Sequence, residues 1–307
     1  MENRTFFKEF YISGFLNSTK DNESYFVAIL LTYLFGIVGN LVIITVIYMD
    51  TQLHTPMYYF LFNLSFVDIC YTTVTLPKLM DILLTGNNTI SLKQCFTQLF
   101  FFIFTGGTEI FLLSTMAYDR YVAICFPLQY QVIMNKRKCI LIFLVIWVSG
   151  WGNGTFLTGF ASILSFCKSN KLEQFFCDIK PLEKLSCEDS GFYIVVYVET
   201  FLFGLCPFLL IVISYIKIII SILHINSTEG RKKAFSTCTS HLAVLFIFYG
   251  TILWLYMRPP LEHLEDVDQV FSILYTAVTP MLNPLIYSLR NKEVKNAIKR
   301  YIMVKHL

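Results

Sequence analysis

The sequence predicts an all-α membrane protein, a seven-transmembrane helix bundle followed by a short amphipathic C-terminal helix. Three observations predict it. The 307 residues are 55% hydrophobic and only 15% charged, where a soluble domain is about a quarter charged. The apolar residues gather into seven stretches, each meeting the roughly 20 residues that cross a ~30 Å hydrocarbon core. Lysine and arginine between those stretches collect on one side, which fixes a direction across the bilayer. Mean hydropathy is +0.60, and 30 phenylalanines lead the aromatic content. Seven spans use about half the chain, leaving short loops and no second folded domain. A net charge of +3 is too weak to imply a nucleic-acid partner.

Taken in order, residues 1–23 are polar, mixed in charge and expected outside the cell. They carry no apolar core of signal-peptide length, so the first span is expected to direct insertion. The bundle occupies 24–290, with apolar stretches at 24–49, 57–83, 97–125, 139–166, 190–223, 235–257 and 267–289. The excess over the minimum length implies tilt or extension beyond the bilayer. Stretches three and six are the least purely apolar. The cytoplasmic tail, 291–307, places Val294, Ala297, Ile298 and Tyr301 at helical spacing among basic residues. That pattern predicts a short helix lying on the inner leaflet.

One side of the membrane collects Lys136, Arg137 and Lys138, then Arg231, Lys232 and Lys233, then Arg290 and the basic tail. The other holds Glu2, Glu9, Asp21, Glu23, the acid-rich segment 173–189 and the acids around Glu265. The basic side is expected in the cytoplasm, and an odd number of spans then puts the N-terminus outside. Glycosylation acceptors stand on the outside at Asn3, Asn17, Asn22 and Asn87. Asn63 and Asn153 match the same motif inside spans, where they are expected to be inaccessible.

Of nine cysteines, Cys95, Cys167, Cys177 and Cys187 fall on the oxidising side, where disulfides persist. Their even number suggests two bridges, and the spacing alone leaves three pairings open. A zinc site is a poor alternative because histidine is nearly absent from the loop between spans four and five.

Several ordered segments resemble rhodopsin-like G-protein-coupled receptors, and within them the odorant receptors. They are Gly39-Asn40 in span one and Leu53-His54-Thr55-Pro56-Met57-Tyr58-Tyr59-Phe60-Leu61, which leads to Asn63 through Asp68 in span two. Span three ends Met116-Ala117-Tyr118-Asp119-Arg120-Tyr121-Val122-Ala123-Ile124-Cys125. Span five carries Pro207 and Ser214-Tyr215, and span six opens Lys233-Ala234-Phe235-Ser236-Thr237-Cys238-Thr239-Ser240-His241. Span seven closes Pro280-Met281-Leu282-Asn283-Pro284-Leu285-Ile286-Tyr287. A lone Asp-Arg-Tyr is weak, but six segments in register make coincidence negligible. The resemblance implies the bridges Cys95–Cys177 and Cys167–Cys187. Phe175-Phe176-Cys177-Asp178 resembles the subgroup whose ligands tend to be volatile.

The same resemblance assigns roles that the physical chemistry of each residue can carry. Arg120 is a permanent charge near lipid and must find partners. It is expected to pair with Asp119 at rest and, on activation, to face the G protein and Tyr215, with Tyr121 beside it. His241 is expected to bond to Arg120 or Tyr121, or simply to join helices. Pro284 removes a backbone donor, so Asn283-Pro284-x-x-Tyr287 is expected to hinge and swing Tyr287 inward. Asp68 and Glu109 are mid-membrane carboxylates, and two such groups share a proton or hold a cation. The resemblance implies a sodium ion there, with Asn40 and Asn283 close by, as the only expected cofactor.

The ligand cavity is expected between spans three, five, six and seven, roughly one-third of the way down from outside. Matching by motif places Phe102, Ile103 and Gly106 in it from span three and Glu199, Thr200 and Phe203 from span five. Span six supplies Tyr249, Ile252, Leu253 and Tyr256, span seven Ile273 and Thr276, with Asp178 and Ile179 closing the top. Phe248-Tyr249-Gly250 stands where most receptors of the wider superfamily carry Cys-Trp-x-Pro, as in odorant receptors. Glu199 is the most individual feature. It favours a basic or hydrogen-bond-donating ligand, unless it turns to headgroups or water or pairs with a loop lysine. The expected function is reception of a small volatile or water-soluble odorant at the plasma membrane, passed to a stimulatory heterotrimeric G protein that raises cAMP. A non-olfactory small-molecule or peptide receptor is the alternative. A secondary transporter is disfavoured by the absence of internal repeats and paired broken helices. An intramembrane enzyme is disfavoured because no His-x-x-x-His pair or nucleophile–base set is present.

Overall fold

A backbone in hydrocarbon must satisfy its own hydrogen bonds, so the apolar stretches become helices. The computed structural model describes residues 7–13, 22–167, 169–187, 191–224, 227–257, 265–290 and 292–304, without the side chains at 193, 230, 232–237, 240, 256–257, 265–266, 287–290, 292 and 302–304. Spans one to four are Asn22–Met49, Pro56–Thr85, Leu92–Cys125 and Lys136–Ser162. Span five runs Phe192–Glu199, a π-helical stretch Thr200–Leu205, then Cys206–Leu223. Span six is Thr228–Met257, and span seven runs Glu265–Ile273, a second π-helical stretch Leu274–Val278, then Thr279–Arg290. Among the described residues six of these helices are long and apolar enough to cross a membrane, while span six carries a shorter apolar run, His241–Leu255.

Helix ends follow local chemistry that hydropathy does not register. Span three starts five residues before its apolar stretch because Ser91 and Gln94 form a capping box. Gln94 N donates to Ser91 Oγ at 3.3 Å and Ser91 N to Gln94 Oε1 at 3.1 Å, meeting donors that a helix start leaves open. Span two opens with Pro56 in its first turn, where the missing N–H costs nothing. It ends at Gly86, whose φ of 73° is a left-handed conformation that glycine adopts freely. Asn135 caps span four by accepting from Lys138 N at 3.0 Å.

Packing divides the bundle into two apolar clusters. One, at the Arg120 end, gathers Ile43, Leu53, Phe60, Leu64, Leu112, Met116, Tyr215, Ile218 and Phe248. The other, at the disulfide end, gathers Phe10, Ile12, Leu76, Leu99, Phe102, Phe175, Phe176 and Tyr275. Close approach depends on small residues, as helix contacts in membranes generally do. A Cβ on Gly39 would stand 2.9 Å from Pro284 Cγ, so spans one and seven meet there. A Cβ on Gly150 or Gly154 would press on the carbonyls of Phe104 or Phe100, each at 3.0 Å.

The N-terminal segment is not merely a polar leader. Residues Glu9–Ile12 form β1, which lies between β2 (Thr89–Ser91) and β3 (Lys171–Leu172), antiparallel to the first and parallel to the second. Phe10 and Ile12 point inward and are fully buried, while Glu9 and Tyr11 face out. With the loop helix Ile179–Leu185, this sheet covers the disulfide end. Disulfides join Cys95 to Cys177 and Cys167 to Cys187. Gln98 Oε1 accepts from Cys177 N at 2.9 Å, and Gln174 Nε2 donates to Ser272 Oγ at 2.8 Å.

At the opposite end the tail helix Lys292–Val304 packs Val294 and Ala297 fully into the bundle. It is tied to the turn after span one: Arg300 pairs with Asp50, and Tyr301 Oη donates to Met49 O at 2.8 Å. Tyr58 Oη donates to Glu293 Oε2 at 2.5 Å. The Arg300 guanidinium holds the Asp50 carboxyl below the usual carboxylate value.

Candidate functional site

Under the sheet lies a cavity of about 120 Å³ lined from six of the seven spans and the loop. Span three gives Phe102, Ile103, Gly106, Gly107 and Ile110; span five gives Val196, Glu199, Thr200, Phe203 and Gly204. Phe248 and Ile252 come from span six, Tyr71 from span two, Asn153 and Leu157 from span four, Tyr275 from span seven, and Asp178 and Ile179 from the loop. Both π-helical stretches border it, through Thr200, Phe203 and Gly204 and through Tyr275. Each precedes a proline, Pro207 or Pro280, that cannot donate one turn back. Leu274 O accepts from the backbone N–H of Thr279 in the π-helical pattern and also from Thr279 Oγ1 at 3.1 Å.

Phe102, Ile103, Gly106, Glu199, Thr200, Phe203 and Ile252, expected in the ligand cavity, line it, as do Asp178 and Ile179. The structure does not bring four others there. Tyr249 is buried below, its ring against Phe208 at 5.1 Å and its hydroxyl turned toward Ser114. Leu253 is 36% exposed on the outer surface of the bundle. Ile273 packs into the apolar cluster at the disulfide end, and Thr276 gives its hydroxyl to Ser272 O at 2.6 Å. The side chains of Tyr256 and Tyr287, and Asn3 and Asn17, lie outside the described residues. Missed by the sequence reading were Tyr71 and Tyr275, whose rings cluster with Phe102, and Asn153 of span four. Gly107 and Gly150 are the signal that could have found Asn153, since they let span four approach closely enough for its amide to reach the cavity. Asn153 Nδ2 donates to Glu199 Oε1 at 2.8 Å, so Glu199 turns to a neighbouring span rather than to headgroups or a lysine.

Mid-bundle, Asp68 Oδ2 accepts from Asn283 Nδ2 at 2.9 Å. Glu109 is fully buried within electrostatic reach of Asp68. Asn40 Nδ2 donates to Gly36 O at 2.9 Å and Pro280 O at 3.0 Å. Asp68 Oδ1, both Glu109 oxygens, Asn40 Oδ1 and Asn283 Oδ1 are buried with no hydrogen-bond donor among the described residues. Such a set of oxygen acceptors suits a hard cation.

At the foot of span three, Asp119 is 1% exposed and accepts from Tyr130 Oη at 2.8 Å. Arg120 stays within Coulombic reach of Asp119, but the hydrogen bond to the carboxylate comes from elsewhere. Tyr130, from the short turn Tyr130–Ile133, takes the carboxylate, and among the described residues no ion pair engages Arg120, whose Nε is buried without an acceptor. His241 joins helices, the second of its two expected roles: its Nδ1 lies 2.6 Å from Tyr215 Oη, bridging spans six and five. Tyr121 instead stacks beneath Lys217, whose Nζ is 5.5 Å from the ring centre.

A family profile described as "Olfactory receptor" matches residues 29–305. The chain belongs to the olfactory receptor family. It is 45% identical over all of its length to Olfactory receptor 10A7 of Homo sapiens, covering 97% of that protein. It is 46% identical to human Olfactory receptor 13C9, over 97% of this chain and 96% of the other. Olfactory receptor 1496 of Rattus norvegicus shares 44% over 98% of each. The fold also matches the crystal structure of squid rhodopsin, with a TM-score of 0.73 at 18% identity, over 92% of this chain and 85% of that one. This olfactory receptor family member is thus a multi-pass membrane receptor with the rhodopsin-like bundle, not an enzyme.

Proposed function

We propose that this olfactory receptor family member binds a small, mostly apolar odorant in the cavity under the loop sheet and activates a stimulatory G protein, raising cAMP. The cavity carries the reading. Spans three, five and six wall it and also bear Arg120, Tyr215 and His241 at their far ends. Burial of hydrocarbon supplies affinity, at ~25 cal/mol per Å², and a ligand that fits one packing of those spans better than another shifts the population. Arg120 has no ion-pair partner among the described residues and stands ready for a G-protein acceptor.

In this reading residues 1–23 lie outside the cell, 24–290 form the receptor domain, and 291–307 form the cytoplasmic tail. The basic loops support that orientation, and Asn22 and Asn87 then face the glycosylating side. The two disulfides hold the lid. Sodium is the ion best suited to Asp68, Glu109, Asn40 and Asn283, where it supplies the counter-charge that two buried carboxylates need. Asn283-Pro284 and Tyr287 form the hinge below it. A cAMP screen of diverse odorants in cells expressing the full chain tests the function. Agonists raise cAMP in the wild type and fail in Arg120→Ala at equal surface expression. Agonist responses that survive Arg120→Ala, or no response to any small molecule, would refute it.

A further inference from the structure

One wall of the cavity is acidic. Glu199 takes a single hydrogen bond, from Asn153 to Oε1 at 2.8 Å, and among the described residues Oε2 accepts none. Asp178, which caps the loop helix through Ile179 N at 2.7 Å, lines the same space and lies within Coulombic reach of Glu199. No lysine, arginine or histidine is among the described residues lining it. Lys180, in the helix that Asp178 caps, gives its Nζ to Leu255 O at 2.7 Å. Glu199 therefore borders a largely apolar space whose described lining residues include no cation, and a carboxylate there gains from an arriving counter-charge.

Another wall is aromatic. Tyr71 and Phe102 stack with centroids 5.3 Å apart, and Tyr275 sits 6.3 Å from the first and 6.2 Å from the second. Ring faces attract cations and accept hydrocarbon.

The geometry points to small amines as the ligand class of this receptor, with the ammonium docked on Glu199 and the hydrocarbon against the Tyr71–Phe102–Tyr275 rings. The inference rests on the small-ligand reading above. Asn153 acts as a positioning residue: by holding Oε1 it leaves Oε2 for the ligand. A primary ammonium offers three donors and a full charge; the matching alcohol offers one donor and none.

The test uses matched pairs, cyclohexylamine against cyclohexanol and 2-phenylethylamine against 2-phenylethanol, on the full-length receptor. Two readouts are taken: cAMP in cells, and thermal stabilisation of the detergent-solubilised protein, which needs no G protein. The amines are expected to act at lower concentration than the alcohols in both. Glu199→Gln is expected to raise the amine concentration needed by about 30-fold or more, the cost of removing one member of a buried charge pair, while sparing the alcohols. Glu199→Asp, which keeps the charge, should restore part of the preference. Should Glu199→Gln fail to reach the surface, the amine–alcohol ranking on the wild type still decides. Alcohols equal to or better than amines, or an amine response indifferent to Glu199→Gln, overturn the inference and leave the receptor reading intact. Silence from every compound in both readouts overturns both.

Discussion

The two ends of the bundle are built on different principles. At the disulfide end, three segments far apart in sequence are joined by a sheet, two disulfides and hydrogen bonds from Gln98 and Gln174. At the Arg120 end the ties are single polar contacts: Tyr215 to His241, Tyr130 to Asp119, Arg300 to Asp50. Both ends bury a full apolar cluster, so hydrophobic burial does not distinguish them. The difference lies in what must break for helices to shift. At the lid that is covalent or cooperative; at the foot it is one hydrogen bond at a time, each worth about 0.6 kcal/mol between membrane helices. The proposed mechanism, in which the cavity persists while the far end rearranges, would draw on this asymmetry.

The contrast can be broken from the lid. Cys95→Ala opens a link spanning 82 residues, and a loop of that order contributes about 4–5 kcal/mol of chain entropy. We expect the variant to lose most of its thermal stability in detergent and most of its surface expression. A smaller effect comes from the waist between spans three and four. Gly150→Val forces a side chain toward Phe104 O, and overpacking of this kind costs about 1–3 kcal/mol. Gly152→Val, with nothing within 4 Å of its Cβ position, is the matched control and should melt like the wild type.

At the foot the expected effects shrink. Tyr215→Phe and His241→Ala should each destabilise, and a double-mutant cycle on the melting free energy should return a coupling of about 0.6 kcal/mol. A coupling of zero would mean that the 2.6 Å contact carries no energy. Smallest is the Asp50–Arg300 tie, about 0.5 kcal/mol, because Arg300 is half exposed and screened. Its sign with pH follows from the lowered Asp50 pKa. The carboxylate is favoured by the fold, so the tie is present above the ordinary Asp value, about 3.9, and fades as pH falls through the lower folded value. Limited proteolysis of the tail should therefore be faster in Asp50→Asn at neutral pH, and the gap should close in strong acid.

The legible part of this molecule is what short-range pattern encodes. Span order, the foot motif and residues counted from an anchor along an unbroken α-helix, such as Phe102, Ile103 and Gly106 ahead of Asp119, could be placed because a helix converts spacing into direction. The illegible part needs a second chain segment. Asn153 reaches Glu199 only because Gly107 and Gly150 thin the contact between spans three and four. Ile273 and Thr276 miss the cavity while Tyr275 reaches it, since the π-helical turn Leu274–Val278 departs from the steady ~100° per residue on which the placement relied. Tyr130 takes Asp119 from a short turn that hydropathy reads as loop. Four residues of β1 offer too little alternation to be noticed without their partners.

That strand has a consequence for how the chain is completed. The hydroxyl of Ser13 donates to Leu172 O at 2.9 Å across 159 residues of sequence, and Phe10 pairs opposite Ile90. The strand that precedes both of its partners in the chain thus occupies the middle position of its sheet. It can meet β2 once two spanning helices have been inserted, but its other edge waits until four are in place and the loop beyond them has delivered β3. Closure of the roof depends on two partners that arrive at different times, one after the second spanning helix and one after the fourth.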